Sequence, residues 1–250
     1  MGSKGGARAI KRYAAPAEWP VYKKQYKWVM KPSPGPHPIE DSLPLLVVLR
    51  DLMHLAFNAH EVRVALNAGR IRVNGRVQRR PDFPVGVMDL VSVPDADIYV
   101  RIIPFKGKLV AHPVPVQERD LRLLRIEDKT CIRGFKVQLN LTGGVNISVP
   151  VEGPQGAKTL PYSTMDTLKT DAKGTKIAEH LKLDKGSYVL AVKGKNSGEH
   201  GVLEETVQSL KRRKALVRVK KSSGEVFETI VDYVYAVGNG SPEISLPEVA

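Results

Sequence analysis

The first strongly patterned stretch of the chain, residues 43–57, is apolar at helical spacing. Its apolar side chains recur three or four positions apart, as on the buried face of a helix: Leu45, Leu46, Leu49, Leu52, Met53 and Phe57. Ser42 stands where an N-cap is expected, and Pro44 falls in the first turn, where its missing N–H does no harm. The pattern therefore predicts one helix over this stretch, with all six apolar side chains in a core.

A second helix and a β-hairpin are predicted directly after it. Residues 60–68 show helical spacing, and Gly69 follows where a left-handed C-terminal residue is expected. The inward side chains of this helix are predicted to be Val62, Ala65 and Leu66. Over residues 70–80 apolar and charged positions alternate, and the dipeptide Asn74-Gly75 predicts a two-residue turn between two strands.

Most of the remaining chain consists of short β-like runs separated by glycine and proline. Such punctuation is typical of strands in a small barrel or sandwich. The predicted strands are residues 89–93, 99–103, 108–112, 121–127, 131–141, 145–150, 186–192, 215–219 and 226–237. The fold class that follows is α+β, in a chain of 250 residues long enough for several small domains.

The charge of the chain is strongly positive and unevenly distributed. Its 39 Lys and Arg outnumber 26 Asp and Glu, giving a formal net charge of +13. Residues 1–125 contribute 21 basic and 11 acidic side chains, hence +10, and residues 126–250 contribute 18 and 15, hence +3. A polyanionic partner would relieve this repulsion and release counterions, so nucleic acid is favoured over solubility alone.

Residues 1–37 carry much of this charge, with eight basic residues and one acidic residue. They are rich in Gly and Pro and have no apolar period, so they are predicted to be an extended arm that orders on a partner. Aromatic residues are interleaved with the charge and are expected to stack on bases or pack on the next domain. The predicted RNA contacts of the arm are Lys4, Arg8, Lys11, Arg12, Lys23, Lys24 and Lys27.

The two helices, Gly69, the stretch RIRVNGRV and the strand DLVSV together resemble a small RNA-binding domain first named from ribosomal protein four. The resemblance implies that RNA lies against the second helix and the hairpin. The implied RNA contacts are Arg50, Arg63, Arg70, Arg72, Arg76, Arg79 and Arg80. All eight basic residues between positions 41 and 104 are Arg, whose planar fork suits phosphate and can stack on bases. A solvated, charged hairpin is the alternative.

Residues 186–203, GSYVLAVKGKNSGEHGVL, form a second recognisable unit. Their closely spaced glycines allow a tight turn with positive φ between two strands. The stretch resembles the KOW motif of ribosomal proteins and transcription elongation factors, which implies a small five-stranded barrel. Lys193 and Lys195 are implied RNA contacts, with a plain hairpin as the alternative. The basic run Lys211–Lys214 is either a solvated or an RNA-facing loop. RNA contact by Lys129, Arg133 and Lys136 is compatible with the sequence, but no motif specifies it.

The order of these parts resembles the archaeal and eukaryotic ribosomal protein S-four-e family, and the short C-terminus suits an archaeal member. Colinear stretches such as KRYAAPAEWPVY and FKVQLNLTGGVNI support the resemblance, although Thr142-Gly143-Gly144 stands where the family has an Asp-Gly turn. The implied division is a basic arm (1–41), the ribosomal-protein-four-type domain (42–104), a central β domain (105–177), a KOW barrel (178–240) and a tail (241–250). The implied function is that of a cytoplasmic small-subunit constituent bound to rRNA and to neighbouring ribosomal proteins.

Enzymatic patterns are weak in this chain. The stretch Gly153 to Thr159 lacks the spacing of a phosphate-binding loop, and the six His show no metal-ligand spacing. Cys131 is the single cysteine and is predicted to be a small core residue. No signal peptide, membrane span, cofactor, metal or small-molecule substrate is expected. The alternatives left open are a pseudouridine-synthase-like RNA-modifying enzyme and a KOW-containing transcription or translation factor.

Overall fold

The computed structural model describes residues 6–22, 24–151, 160–207 and 215–247, which form two compact units. The first unit comprises Met1–Ile102 and Lys108–Pro113, and the second comprises Ile103–Gly107 and Val114–Ala250. The regular structure of the described residues is mostly β-strand, with few helices. No helix within the described ranges is both long and apolar enough to cross a bilayer. The five-part division of the chain stays a prediction.

The strands of the first unit are short, apart from its last two. They are β1 (Ala9–Lys11), β2 (Trp28–Met30), β3 (Ser42–Pro44), β4 (Arg72–Val73), β5 (Arg76–Val77), β6 (Pro84–Gly86), β7 (Leu90–Val93), β8 (Ile98–Phe105), of which residues 103–105 belong to the second unit, and β9 (Lys108–Pro113). The main sheet has the order β5-β4-β7-β8-β9, while β1 pairs with β2 and β3 with β6. Helix α1 (Leu45–Val47) continues as a π-helix over Val48–Leu52, and α2 spans Ala59–Asn67.

The first helix begins without the predicted side-chain cap. Ser42 belongs to β3, and its Oγ donates to the Pro38 carbonyl at 2.7 Å rather than capping the helix. The backbone N–H of Leu45 instead donates to the Phe83 carbonyl at 2.9 Å, and that of Leu46 to the Pro81 carbonyl at 2.9 Å. Because carbonyls of the adjacent segment satisfy these amides, the helix needs no Ser cap.

The first helix also ends earlier than the apolar period predicts. Helical structure stops at Leu52, and His54 has a φ of 52°, which is incompatible with a continuing right-handed helix. Phe57 therefore leaves the core face and is 93% exposed. The prediction that Phe57 is a core residue is wrong, because the spacing continues in sequence after the helix has ended.

The core of the first unit includes part of the predicted arm. Trp19 is only 1% exposed and packs in one cluster with Val21, Val29 and α1 residues such as Leu45. Strands β1 and β2 pair antiparallel, with Ile10 opposite Val29. The prediction of an extended arm is thus corrected for residues 6–22 and 24–37, since large apolar side chains anchor that segment even without a period.

The second unit contains two antiparallel sheets. Its strands are β10 (Leu121–Ile132), β11 (Lys136–Leu141), β12 (Val145–Pro150), β13 (Thr167–Asp171), β14 (Ile177–Leu181), β15 (Ser187–Ala191), β16 (His200–Val207), β17 (Leu216–Lys220), β18 (Val226–Ile230) and β19 (Val234–Asn239). The sheet orders are β12-β11-β10-β13-β14 and β18-β17-β16-β15-β19. The strand predicted over 131–141 is divided by a turn, and β13 and β14 had not been predicted.

Tyr235 joins β19 to the other sheet of the second unit. Its hydroxyl accepts from the Arg125 backbone N–H at 2.7 Å, lies 2.7 Å from Thr142 Oγ1 and donates to the Leu123 carbonyl at 3.2 Å. Burial raises the pKa of the Tyr235 phenol, because the charged form would lose its water. A buried Tyr with its hydroxyl fully used fixes the two sheets in one arrangement.

The C-terminal segment packs back onto the second unit through its described residues. Ile244 is buried, and the Glu243 carboxylate lies 2.7 Å from Lys169 Nζ.

The prediction that Cys131 is a small core residue is wrong, because this residue is exposed near the end of β10. Its apolar neighbours Ile132 and Phe135 are exposed as well, so the local apolar composition does not mark a core.

Candidate nucleic-acid interface

Helix α2 begins at a side-chain cap that was not predicted from the sequence. Asn58 Oδ1 accepts from the backbone N–H groups of His60 at 2.9 Å and Glu61 at 3.0 Å. Glu61 in turn accepts from the Phe57 backbone N–H at 2.8 Å and from Asn58 Nδ2 at 2.9 Å. This reciprocal arrangement resembles a capping box and sets the start of the helix. At its other end, Gly69 has the predicted positive φ of 74°.

The hairpin after α2 has the predicted two-residue turn. Asn74 and Gly75 both have positive φ, 52° and 70°, as a type I′ turn requires. The Asn74 side chain does more than turn the chain. Its Nδ2 donates to Asp89 Oδ1 at 2.8 Å, and its Oδ1 accepts from the Leu90 backbone N–H at 2.9 Å. The turn is therefore tied to the start of β7.

The carboxylate of Asp89 is the buried centre of this arrangement. Its Oδ2 accepts from the Gly86 backbone N–H at 2.9 Å and lies 2.8 Å from His37 Nε2. The Asp89 side chain is fully buried, so each of these partners replaces a hydrogen bond with water. One carboxylate thus holds the hairpin turn of Asn74, the end of β6 and the segment that contains His37.

Four arginines of this region are exposed and have no carboxylate partner within the described residues. They form what we call the arginine surface: Arg63, Arg72, Arg76 and Arg79. Arg72 stands opposite Val77, and Val77 lies beside the end of α2, since a Cβ built on Gly69 would be 3.5 Å from Val77 Cγ1. Arg76 stands opposite the buried Val73, so it extends from the edge strand on the other side of the hairpin.

The other predicted arginines of this domain have partners within the first unit. Arg70 lies 3.7 Å from Asp95, and Arg80 pairs with Asp82 at 3.0 Å, which raises the pKa of the Arg80 guanidinium. These pairs are largely exposed and contribute little to stability. Arg50 is mostly buried. It pairs with Asp51 at 2.8 Å and lies 4.4 Å above the Tyr26 ring, and its pKa is raised mainly by Asp51.

Large apolar side chains lie exposed on the same helix and hairpin. Phe57 immediately precedes α2, Val64 lies on its exposed side, and Val77 lies on the hairpin beside Arg72. Residues of this kind can pack on bases between phosphate contacts. Their exposure was not predicted from the sequence, because helical spacing assigned Phe57 to the core and nothing else marked the position.

The arm contributes exposed basic and aromatic residues to the first unit. Arg8, Lys24 and Lys27 are exposed, and Lys11 Nζ lies 5.9 Å from the Trp28 ring centre. Arg12 instead donates from Nε to the Val21 carbonyl at 2.7 Å and so holds the arm's own fold. Further exposed rings are Tyr13, Tyr22 and Trp28. The predicted contacts Lys4 and Lys23 lie outside the described residues.

The glycine-rich loop between β15 and β16 has the backbone that its sequence predicts. Gly194 and Gly198 have φ values of 86° and 95°. Lys195 is exposed and Lys193 is half-buried. The basic run Lys211–Lys214 falls outside the described residues.

Among the described residues, no three His, Cys, Asp or Glu side chains lie close enough together to form a metal site.

Fold and surface together define a basic nucleic-acid-binding protein. Three family models match the chain: the RS4NT (NUC023) domain over residues 4–40, the S4 domain over 43–91 and the Ribosomal family S4e over 97–177. The S4 domain match covers α1, α2 and the hairpin that carries the arginine surface.

Similarity to curated proteins extends over the whole chain. A small ribosomal subunit protein eS4 of Aeropyrum pernix is 42% identical over 251 residues, covering 100% of this chain and 99% of the relative. Another, from Ignicoccus hospitalis, is 40% identical and covers 98% of this chain and 97% of the relative. The chain belongs to the S4e family of ribosomal proteins. The crystal structure of the 30S ribosomal protein S4e from Thermoplasma acidophilum has a similar fold, with a TM-score of 0.65 at 22% identity, over 80% of this chain and 96% of that one.

Proposed function

We propose that this chain is a structural constituent of the small ribosomal subunit and binds ribosomal RNA through the arginine surface. The observation that carries the proposal is the set of four exposed arginines on α2 and its hairpin, without carboxylate partners among the described residues. A cation that no acid neutralises gains most from a phosphate. Family membership and the names of the archaeal relatives support the same function.

The arginine surface suits a folded RNA better than a particular base sequence. Guanidinium groups on both sides of the hairpin can each bind phosphates, and the exposed Phe57 can pack on a base. Specificity then comes from the shape of the RNA, because phosphate contacts carry no base information. Arg70 and Arg80 join this contact only by leaving their exposed pairs with Asp95 and Asp82, whereas Arg50 keeps its place with Asp51.

The other parts of the chain are assigned as supporting contacts. Residues 178–240 form the KOW-type barrel in this proposal, supported by the five antiparallel strands β15–β19 and the two left-handed glycines of its loop. Lys195 and the exposed basic residues of the arm, Arg8, Lys24 and Lys27, add phosphate contacts. The partners are small-subunit rRNA and neighbouring ribosomal proteins, as in a cytoplasmic ribosome.

Neutralising the arginine surface tests the RNA contact directly. The triple variant Arg72→Gln, Arg76→Gln, Arg79→Gln is expected to bind a small-subunit rRNA transcript of Aeropyrum pernix about a hundred-fold more weakly at low salt. The magnitude of the slope of log affinity against log salt concentration should fall by about 2, because the variant lacks about three phosphate contacts and the counterions they would release. The measurement is a filter-binding titration at several salt concentrations.

A matched control removes the same charge from cations that already have acidic partners. Arg218, Lys220 and Lys221 of the second unit lie within 2.7 Å of Glu228, 3.9 Å of Glu204 and 3.0 Å of Glu199. Their triple Gln variant should change the salt slope much less. If both triple variants lower the slope equally, the binding reports net charge alone and the arginine surface is not the site.

Association with the ribosome separates this function from its two alternatives. In a sucrose gradient of cell lysate, the chain should sediment with the small subunit and remain there after a moderate salt wash. An RNA-modifying enzyme or a transcription factor would stay near the top or follow its own substrate or polymerase. Recovery only in the top fractions would contradict membership of the subunit.

A further inference from the structure

The hairpin between β10 and β11 ends in an exposed loop that the function above does not use. Ile132 pairs with Lys136 as the last rung, and Arg133, Gly134 and Phe135 form the loop between them. All five of these residues are exposed. The Phe135 ring is 60% exposed, which is unusual for a large aromatic side chain in the second unit.

The backbone at Phe135 lies in a region that bulky residues avoid. Gly134 and Phe135 follow one another with φ values of 83° and 50°. Glycine adopts such a conformation freely, whereas a phenylalanine there is a genuine outlier. The Val151 backbone N–H donates to the Phe135 carbonyl at 2.9 Å and holds this conformation. A strained position that holds a ring in solvent indicates a binding role more than a packing role.

Two cations flank Phe135 along the chain. Arg133 and Lys136 are exposed, and within the described ranges neither has a carboxylate partner. The acid nearest along this hairpin on the face of Lys136 is Asp128, which stands opposite Asn140. The Asp128–Asn140 pair lies four residues along β11 from Lys136, which is a distance of about 13 Å in an extended strand. A phosphate at the tip would therefore meet cations and no nearby hairpin acid.

We propose that this tip is a second RNA contact, in which the Phe135 ring stacks on an unpaired base while Arg133 and Lys136 bind the flanking phosphates. The inference rests on the proposed function, because it takes ribosomal RNA as the partner. An exposed aromatic ring with two neighbouring cations that have no acidic partner among the described residues is the combination that holds single-stranded nucleotides. Lys129 takes no part, since its Nζ donates to the Tyr162 carbonyl at 2.8 Å.

Substitutions of Phe135 separate stacking from simple apolar contact. With the full chain and the Aeropyrum pernix small-subunit rRNA transcript, Phe135→Ala and Phe135→Leu should each weaken binding about ten-fold or more. Phe135→Trp should retain binding, because it keeps a flat π-surface. The salt slope should stay unchanged in all three variants, as no phosphate contact is lost. The control Val116→Ala removes an exposed apolar side chain from the same unit and should leave the affinity unchanged.

The single cysteine offers an independent test of proximity. Cys131 is exposed and precedes the last rung of the same hairpin. A benzophenone maleimide attached to Cys131 should crosslink to the rRNA on irradiation, at one region that reverse-transcription stops would identify. The crosslink should disappear when unlabelled protein displaces the labelled chain.

The outcomes distinguish this inference from the proposed function. If the arginine triple variant loses affinity while Phe135→Ala does not, the tip is not an RNA contact and the proposed function stands. If Phe135→Leu restores what Phe135→Ala loses, the contact is a simple apolar one and the stacking inference is overturned. If Cys131 crosslinks only to protein in assembled subunits, the tip binds a protein and the inference is overturned as well. Loss in neither Phe135→Ala nor the arginine triple rejects both.

Discussion

Replacing Gly198 by alanine is expected to destabilise the second unit by about 3 kcal/mol or more. Gly198 has a φ of 95°, a conformation that residues with a Cβ rarely adopt. A Cβ built there would also lie 2.7 Å from Phe105 Cα and 2.9 Å from the Pro104 carbonyl oxygen. These are backbone atoms, so no side chain can rotate away to make room. Backbone strain and overpacking therefore add at one position.

The matched control for Gly198→Ala is a glycine at which alanine would meet backbone strain but no overpacking. Gly224 has a φ of 89°, but a Cβ built on it would meet nothing within 4 Å. Gly224→Ala should cost about 1 kcal/mol, from backbone conformation alone. Hydrogen exchange of the β15 and β16 amides, followed by mass spectrometry, reports this sheet. Equal losses of protection in the two variants would show that the close approach at Gly198 is unimportant.

The glycine-rich loop illustrates what a sequence shows about such a site. The spacing of Gly194 and Gly198 predicted positive φ, because that requirement is local to the chain. The close approach of Gly198 to Phe105 was not predictable, since the two residues are far apart in sequence. Gly201 has an ordinary φ and is needed for a different reason: a Cβ there would collide with the Lys220 backbone of the neighbouring strand.

The difference between local requirements and distant contacts also explains why one helix was predicted better than the other. The span of α2 was predicted nearly to the residue, because its periodicity, its terminal Gly69 and its turn are all encoded nearby. The end of the first helix was not, since Phe57 keeps helical spacing beyond it. For Trp19 the sequence left open whether the ring stacks on bases or packs on the next domain, because its partners lie in α1 and it has no local period.

At the arginine surface, composition identified the residues but not their partners. The sequence pointed equally to Arg70, Arg72 and Arg80, yet only Arg72 lacks a carboxylate among the described residues. Pairing depends on where Asp95 comes to lie after β7, which is a tertiary property. The fold of the described residues was thus largely predictable, whereas the availability of each cation was not.

Removing the buried carboxylate of Asp89 is expected to lower the free energy of unfolding of the first unit by about 3 kcal/mol or more. In Asp89→Ala, the Gly86 N–H, the Asn74 amide and the His37 ring lose the acceptor they share. Each buried group left without a partner costs about 1–3 kcal/mol. Both tryptophans of the chain, Trp19 and Trp28, belong to the first unit, so their fluorescence follows its urea unfolding.

The matched control is Asp95→Ala, which removes an exposed carboxylate of the same unit. Among the residues that the structure describes, Asp95 pairs with the exposed Arg70 alone, at 3.7 Å, so the expected loss is at most about 1 kcal/mol. Similar urea midpoints for the two variants would show that the buried carboxylate does not hold the unit together.

The same pair of variants tests how the hairpin is positioned for RNA. Asp89→Ala keeps all four residues of the arginine surface, so the salt slope of rRNA binding should remain near that of the unmodified chain. Its affinity should fall nevertheless, because the turn at Asn74 loses its hydrogen bond to Asp89 and the arginines must then be ordered on binding. Asp95→Ala frees Arg70 and should bind as well as the unmodified chain or better. A lower slope for Asp89→Ala would mean that the carboxylate acts on charge contacts directly rather than by holding the hairpin.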